Sequence, residues 1–437
     1  MKYRLILLIS LYYTSLIASV PDTITLDYIQ SQAKINDPLL KQKQSLINAN
    51  LLKIKNFKTN FYPNADINGQ ATYQSDVIHI QMPQPIVDLG TTLPPGVATP
   101  KVIIPSVPDP DKDQYKISLD ITQSIFDGGV TRKLVESEKI NLGIDTTILE
   151  VNAYQSRERI NLVYFNILLI QERLSLLRIF KDDLFIKLKS LESATVNGIT
   201  TRTDILLLQS EIIKVEQQIS DLDYSKQAAI NVLSLYINQQ IPDNSKFLVS
   251  DKKLSGKEIT RPEIDLFSIQ KSKLDVSMKL LNAKKMPKLY GFGQFGYGKP
   301  GLNMFKSEFD NYFILGAKLS WNAWDWNKNK RDKQILSIQR NIIDNQQESF
   351  EKNVNIALEN ELANVQKLTE MIVKDLELIK IRKEISEYSY TQVQNGIKTM
   401  SDYLNDSNAE MNAKTNLTLH QIQLLQSKVN YNNYLGK

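Results

Sequence analysis

Between Tyr115 and Ile125 apolar and polar positions alternate. Tyr115, Ile117, Leu119, Ile121 and Ile125 share one parity, and Lys116, Ser118, Asp120, Thr122 and Ser124 the other. A period of two predicts a strand with one apolar and one polar face. The same pattern places Ala65, Ile67, Ala71 and Tyr73 opposite Asp66, Asn68, Gln70 and Thr72, and Phe313, Leu315, Ala317, Leu319 and Trp321 opposite Lys318, Ser320 and Asn322. Leu289 to Tyr297 is a weaker, glycine-rich fourth strand. Strands are therefore expected over about 64–75, 114–126, 288–298 and 312–326. Such lengths match the roughly 9–11 residues of a tilted transmembrane strand, in which the apolar parity meets lipid and the polar parity a lumen. A half-buried soluble sheet alternates in the same way. Trp321, Trp324 and Trp326, all the tryptophans of the chain, cluster at one strand end. That is the place of an interfacial aromatic belt, and equally of a packed strand–helix junction.

Helical periodicity takes over after each strand pair. No Gly or Pro occurs between Ile144 and Asn197, nor between Ala317 and Asn395. Ile160, Val163, Ile167, Ile170, Leu174, Leu177, Phe180, Leu184, Leu188 and Leu191 step by three or four, the spacing of a continuous helical seam. Long helices are expected over about 130–197 and 328–395, and shorter ones over about 204–238 and 402–434. At about 1.5 Å per residue the long ones reach roughly 80–100 Å, more than a compact soluble domain accommodates. Asn197-Gly198 and Asn395-Gly396 stand between the members of each helix pair, as a C-cap glycine would.

The chain is written twice. Pro38 and Pro63 bracket one amphipathic stretch, and Pro262 and Pro287 bracket another 224 positions later; Gly69-Gln70 and Tyr73 recur as Gly293-Gln294 and Tyr297 at that spacing. Leu119, Lys133, Ser137 and Asn141 recur 200 positions on, and Asn197-Gly198-Ile199, Thr201, Asp204 and Leu206 recur 198 positions on. Four blocks in one order imply a tandem repeat. Residues 20–250 would form the first copy and 251–437 the second. The shorter offsets reflect an insertion from about Asp76 to Asp111 that holds eight prolines. It cannot be helix or central strand; an extracellular loop between two barrel strands and a disordered linker both fit.

Composition narrows the class. Lys2 and Arg4 precede an apolar run from Leu5 to Ile17, then Ala18 and Ser19, which reads as a secretory signal over residues 1–19. A mean hydropathy of −0.29 is too low for a multi-pass helical membrane protein. The 437 residues include no cysteine and only two histidines, His79 and His420, so thiol catalysis, disulfides and a histidine metal site drop out. Nothing resembles a nucleophile–base pair or a phosphate loop, so no catalytic residue, metal site or cofactor is expected and the chain does not read as an enzyme. Bases are interspersed with acids, which argues against a nucleic-acid partner.

Taken together, these features resemble the TolC-like outer membrane efflux protein family over essentially the whole mature chain. Thr25-Leu26-Asp27 followed by Asn36-Asp37-Pro38-Leu39-Leu40 looks like its opening helix. Ser124-Ile125-Phe126-Asp127-Gly128-Gly129 looks like its strand-to-helix junction, and Asn197-Gly198 with Asp204 and Asn395-Gly396 with Asp402 look like its two tip turns. The second junction departs from the pattern, with Trp326-Asn327-Lys328-Asn329 where Phe-Asp-Gly-Gly would stand. The resemblance implies a mixed α/β membrane protein: a homotrimer whose twelve strands close one β-barrel continuous with an α-helical barrel. Four strands alone cannot enclose a lumen, since about eight only just hold side chains. It further implies a passive exit duct in the cell outer membrane, extending into the periplasm. Its partners would be outer-membrane lipid, a periplasmic adaptor (membrane fusion) protein and an inner-membrane pump or ABC transporter, in efflux or type I secretion.

By resemblance Asp402 matches the family's entrance aspartate ring. Asp204 and Lys398 match charged positions that hold neighbouring helices shut, Lys398 standing where arginine is more usual. Lysine offers a point charge in place of a bidentate fork. Asp204 and Asp402 also read as polar starts to helices near the positive dipole end, and the two roles are compatible. Gly198, Ile199, Gly396 and Ile397 would border the grooves where the adaptor docks. A rival class is a coiled-coil envelope stalk or adhesin, which accounts for the helical seams and leaves the paired strands unexplained.

Overall fold

The computed structural model describes residues 21, 23–79, 109–196, 201–249 and 251–437. The expected signal segment, most of the proline-rich insertion and the turn at Gly198 and Ile199 lie outside the described residues. In chain order the elements are β1 (Thr23–Thr25), α1 (Leu26–Asn36), α2 (Pro38–Lys58), β2 (Asn64–Tyr73), β3 (Asp113–Phe126), α3 (Val130–Val196), α4 (Arg202–Ile237), β4 (Lys246–Leu248), α5 (Pro262–Lys284), β5 (Lys288–Lys299), β6 (Asp310–Ser320), α6 (Lys328–Gln394) and α7 (Met400–Leu435). The helices α3 and α6 have 67 residues each, and α4 and α7 have 36 each. Both long helices begin and end 198 positions apart. The sequence identities found at a spacing of 200 within these helices therefore do not fall at equivalent turns.

The chain divides into two compact units. One contains Ile47–Leu142 and Lys271–Asn341. Its sheet has the order β2-β3-β5-β6, every pairing antiparallel. The register sets Ile67 against Leu119, Leu119 against Phe295 and Phe295 against Phe313, so these four share one face. Ile67, Leu119, Phe295 and Phe313 are all exposed in the single chain. On the opposite face Asp120 is the centre of a cross-strand network. Its carboxylate accepts from Asn68 Nδ2 at 2.6 Å, Gln294 Nε2 at 2.5 Å and Ser118 Oγ at 3.2 Å. Lys116 Nζ donates to Gln294 Oε1 at 3.4 Å and sits over the Tyr312 ring. Ile117, Leu119 and Ile121 thus lie on one face, and Ser118, Asp120 and Thr122 on the other. A bulge between Ser124 and Phe126 pairs Phe126 with Leu289 and ends the strand beside the helix junction.

The two strand-to-helix junctions use one device. After β3, Asp127 accepts from the N–H groups of Gly129 (2.8 Å) and Thr131 (2.6 Å) while Gly128 and Gly129 take φ of 73° and 85°. After β6, Asp325 accepts from Asn329 N–H at 3.1 Å, and Trp326 and Asn327 take φ of 51° and 60°. Trp324-Asp325-Trp326-Asn327 is therefore the counterpart of Phe126-Asp127-Gly128-Gly129, two positions earlier than the sequence alignment placed it. The turn geometry survives without glycine, at a cost of about 1–3 kcal/mol for each non-glycine residue held there. At Gly128 itself glycine is required, since a Cβ would meet the Ala283 carbonyl oxygen at 2.6 Å. The strand expected to reach residue 326 stops at Ser320. Trp321 Nε1 instead donates to the Lys285 carbonyl at 3.1 Å, and the left-handed backbone at Trp326 cannot extend a strand.

The other unit takes the chain up to Leu46, Gly143–Gln270 and Ile342–Lys437. Its seam is the one the spacing predicts along α3, with Ile160, Ile167, Leu174, Leu184 and Leu191 buried. Tyr164 and Phe165 are buried among them. The short strands β1 and β4 pair in parallel against this helix. Tyr164 clamps them: its hydroxyl donates between the carbonyl oxygens of Ile24 (2.8 Å) and Leu248 (2.9 Å), and its ring meets Phe247 edge-on. Burial pushes its phenol well above the ordinary value. Tyr164→Phe leaves both carbonyls without their shared donor. The expected loss is about 1–3 kcal/mol, read as a lower denaturation midpoint; an unchanged midpoint would show the clamp to be idle.

Candidate functional site

The helix pairs α3–α4 and α6–α7 end in turns, and the sequence places every candidate residue there. The α6–α7 turn is described in full. Gly396, at φ 72°, ends α6: its N–H bonds the Val393 carbonyl at 3.0 Å, and the Ile397 N–H bonds the Gln392 carbonyl at 2.8 Å. This crossed pair is a Schellman motif, which satisfies carbonyls the helix end would otherwise strand and needs a left-handed residue. Ile397 follows with 71% of its surface exposed.

Thr399 then opens α7 with a capping box. Its hydroxyl accepts from Asp402 N–H at 3.2 Å, while the Asp402 carboxylate accepts from Thr399 N–H at 3.2 Å and from its hydroxyl at 2.6 Å. Thr201 and Asp204 build the same box at the start of α4, with distances of 3.3, 2.9 and 2.7 Å. Both candidate aspartates therefore cap their helices, Asp402 exposed and Asp204 half-buried. The Thr399 hydroxyl and N–H, with Lys398 nearby, hold the Asp402 carboxyl below the usual carboxylate range against a small opposing effect of burial.

Lys398 does not meet Asp204 within the chain. Its ammonium lies 3.1 Å from Asp406 Oδ2 and 3.1 Å from Ser389 Oγ, so it spans the turn of its own hairpin. Asp406 is a partner not anticipated from sequence, although it stands one helical turn past Asp402 on the same side of α7. The Thr-x-x-Asp pattern at 201–204 and 399–402 was also open to reading as a capping box. A third group had no simple signal: Lys187 of α3 pairs with Asp183 and sits over the rings of Tyr390 (5.2 Å) and Tyr403 (5.4 Å).

Beneath the turns lies one apolar cluster. Leu184, Leu188 and Leu191 of α3 pack with Ile205, Leu208 and Ile212 of α4 and with Val393, Met400, Tyr403 and Leu404 of the second hairpin. Asn408 Nδ2 of α7 donates to Glu211 Oε1 of α4 at 3.0 Å, a polar bond that joins one hairpin to the other. The α6–α7 turn and the capped start of α4 are thus seated on a shared core.

Thr399→Ala removes one half of the α7 box, worth about 1 kcal/mol. Amide exchange in the first turn of α7 should quicken roughly fivefold, with α4 unaffected. The pH dependence follows from the sign of the Asp402 shift. A depressed carboxyl contributes its stability above the unfolded value near about 3.9 and loses it as pH falls through the folded one. Protection of that turn should therefore hold from pH 7 to about 5 and fade only below about 4. Loss of protection between pH 7 and 5 would contradict the capping role.

No family model matches the chain, and no curated protein matches it in sequence. Solved structures do match it. CusC, whose structures concern folding and transmembrane channel formation, aligns at a TM-score of 0.67 with 12% identity, over 94% of this chain and 91% of that one. The outer membrane protein VceC from Vibrio cholerae gives 0.65 and 13%, over 94% and 96%. The open state of the MtrE outer membrane channel from Neisseria gonorrhoeae gives 0.63 and 15%, over 94% and 88%. At such identities the likeness is one of fold: the chain has the architecture of these outer-membrane channels, the TolC-like fold that the sequence resembles.

Proposed function

We propose that the chain is one protomer of an outer-membrane channel, the exit duct of a tripartite efflux or type I secretion system. The observation that carries this reading is the open sheet. One face is apolar and exposed, the other carries the Asp120 network, and β2 and β6 are free edges. Ten- and eleven-residue edges with unpaired backbone groups are unstable in water and untenable in lipid unless closed. Alternating antiparallel order makes β2 and β6 run in opposite senses, so copies join edge to edge in continued antiparallel pairing. A homotrimer closes twelve strands, wide enough for a lumen lined by the Asp120 face. Exposed apolar side chains on the helices, such as Ile179 and Ile186 on α3 and Val373, Leu376 and Ile381 on α6, suit burial between copies. The near-identical helix pairs fit a tandem duplication, the second copy beginning at about residue 251.

In this reading the tips form the entrance. Three copies of Asp402 give a carboxylate ring that favours cations. Lys398 and Asp204 tune its closure. The exposed turn at Gly396 and Ile397, with Gly198 and Ile199 of the first hairpin, receives the periplasmic adaptor, through which an inner-membrane pump supplies the driving force. The duct itself is passive and performs no catalysis.

Detergent-extracted protein should be trimeric by native mass spectrometry and should form ion-conducting pores in planar bilayers. A conducting trimer excludes the stalk or adhesin reading; a monodisperse, non-conducting monomer would overturn the channel. Within the pore, Asp402→Asn should lower cation preference, read as a shifted reversal potential. Lys398→Ala and Asp204→Asn should each raise closed-state conductance modestly, as an exposed pair worth about 0.2–1 kcal/mol allows. If only Lys398→Ala and Asp406→Asn act, the lysine serves its own hairpin alone.

A further inference from the structure

The two ends of the four-stranded sheet carry opposite charge. At the end where the strands meet helices, the segments 55–63, 127–136, 284–288 and 321–333 contain eleven bases and four acids. At the other end the described segments 74–79, 109–113 and 299–310 contain six acids and three bases. The acidic end is internally matched: Lys299 pairs with Asp111 at 2.6 Å, and Lys306 lies 3.7 Å from both Glu308 and Asp310. The basic end is not. Lys285 pairs with Asp325 at 3.5 Å and Lys133 with Glu136 at 2.6 Å, but Lys284, Lys328 and Lys330 are exposed and have no ion pair among the described residues.

The placement of these cations is unfavourable within the chain. Lys328 and Lys330 sit in the first turn of α6, which has no acidic residue, where the helix dipole disfavours positive charge. The adjoining tryptophans are equally unaccounted for. Trp321, Trp324 and Trp326 are 62%, 71% and 78% exposed, and Trp326 holds a left-handed backbone that the other junction gives to glycine. Trp324 and Trp326 meet edge-on at 5.9 Å and belong to no buried apolar cluster among the described residues. Exposed indoles beside unneutralised cations are the pattern that amphipathic rings and basic side chains adopt at an anionic headgroup layer.

We infer that this helix-side rim is a docking surface for acidic glycerophospholipid headgroups, selecting phosphatidylglycerol-type lipid over zwitterionic lipid in the adjoining leaflet. The inference rests on the channel reading, because the rim meets a leaflet only if the sheet spans a membrane. The phosphates neutralise Lys284, Lys328 and Lys330, while the three indoles settle at headgroup depth. The acidic far rim repels the same headgroups, so the lipid preference also fixes which way the sheet is threaded. Zwitterionic lipid satisfies the indoles but leaves the three ammonium groups without a counter-charge.

The three tryptophans are the only ones in the chain, so intrinsic fluorescence reports this rim alone. The full-length protein would be reconstituted into phosphatidylcholine vesicles holding a small, equal fraction of spin-labelled phosphatidylglycerol or spin-labelled phosphatidylcholine. Vesicle flotation and bilayer conductance would verify insertion in both. The labelled phosphatidylglycerol should quench with an apparent enrichment of at least about threefold. That excess should shrink in high salt and disappear in the Lys284→Gln, Lys328→Gln, Lys330→Gln triple variant, which still floats and conducts. Equal quenching by both labels in inserted, conducting protein would overturn the inference and leave the channel standing. Protein that neither floats nor conducts would overturn the channel first, and the inference with it.

Discussion

A four-stranded antiparallel sheet with one apolar face and two open edges cannot stand alone. Each edge presents a row of backbone donors and acceptors that must find partners, and the face from Ile67 across Leu119 and Phe295 to Phe313 must find an apolar neighbour. Water provides the first and refuses the second; lipid does the opposite. In the channel proposed above, closure within a membrane meets both demands. That constraint explains why the polar face is cross-linked by side chains instead of packed: Asp120, Asn68 and Gln294 tie three strands together where no hydrophobic layer covers them. It also explains why β3 and β6 give way to sharply defined turns on the helix side, since a strand that overran its span would carry its alternation into the wrong medium.

Physical pattern made some of this legible from sequence. The alternation at 115–122 is clear because each parity meets a different environment, and the absence of Gly and Pro from Ile144 to the end of α3 and throughout α6 leaves helix as the favoured state for those stretches. Strand β5 is fainter because Gly291, Gly293, Gly296 and Gly298 erase the parity signal. The end of β6 misled for a different reason. Trp321 continues the apolar parity, yet the Asp325 cap and the left-handed turn that stop the extended backbone depend on local geometry that composition does not reveal. The same turn hid the alignment of the two junctions, because Trp326 and Asn327 do what Gly128 and Gly129 do without looking like them.

At the tips the sequence singles out the charged residues and not all of their partners. Asp204 and Asp402 stand out by position, and the Thr-x-x-Asp spacing that engages each with a threonine three residues before it is itself a sequence signature of a capping box. Lys398 had three carboxylates within plausible reach. The Schellman turn aims it across its own hairpin at Asp406, a choice set by the φ of Gly396 and invisible in the spacing.

That choice limits what Lys398 can do for a gate. A contact contributes to an opening equilibrium only if it differs between the two states. The Lys398–Asp406 pair lies inside one hairpin, and with the capping box and the Schellman turn it moves with that hairpin unchanged. For Lys398 to hold the tip shut it must trade Asp406 for a carboxylate such as Asp204 on a neighbouring helix. Both are partly exposed, so the trade is one modest attraction for another, and the net gain is smaller than either. In the proposed channel, the contacts that an opening motion would part are those between hairpins: Glu211 with Asn408, and the shared cluster of Leu208, Ile212, Tyr403 and Leu404. In that proposed gate, closure is held chiefly by packing that an opening motion must part, with charge as a trim on it. A latch of that kind yields to a partner that offers the hairpins an alternative apolar surface, and it resists changes in salt that would undo one made of exposed ion pairs.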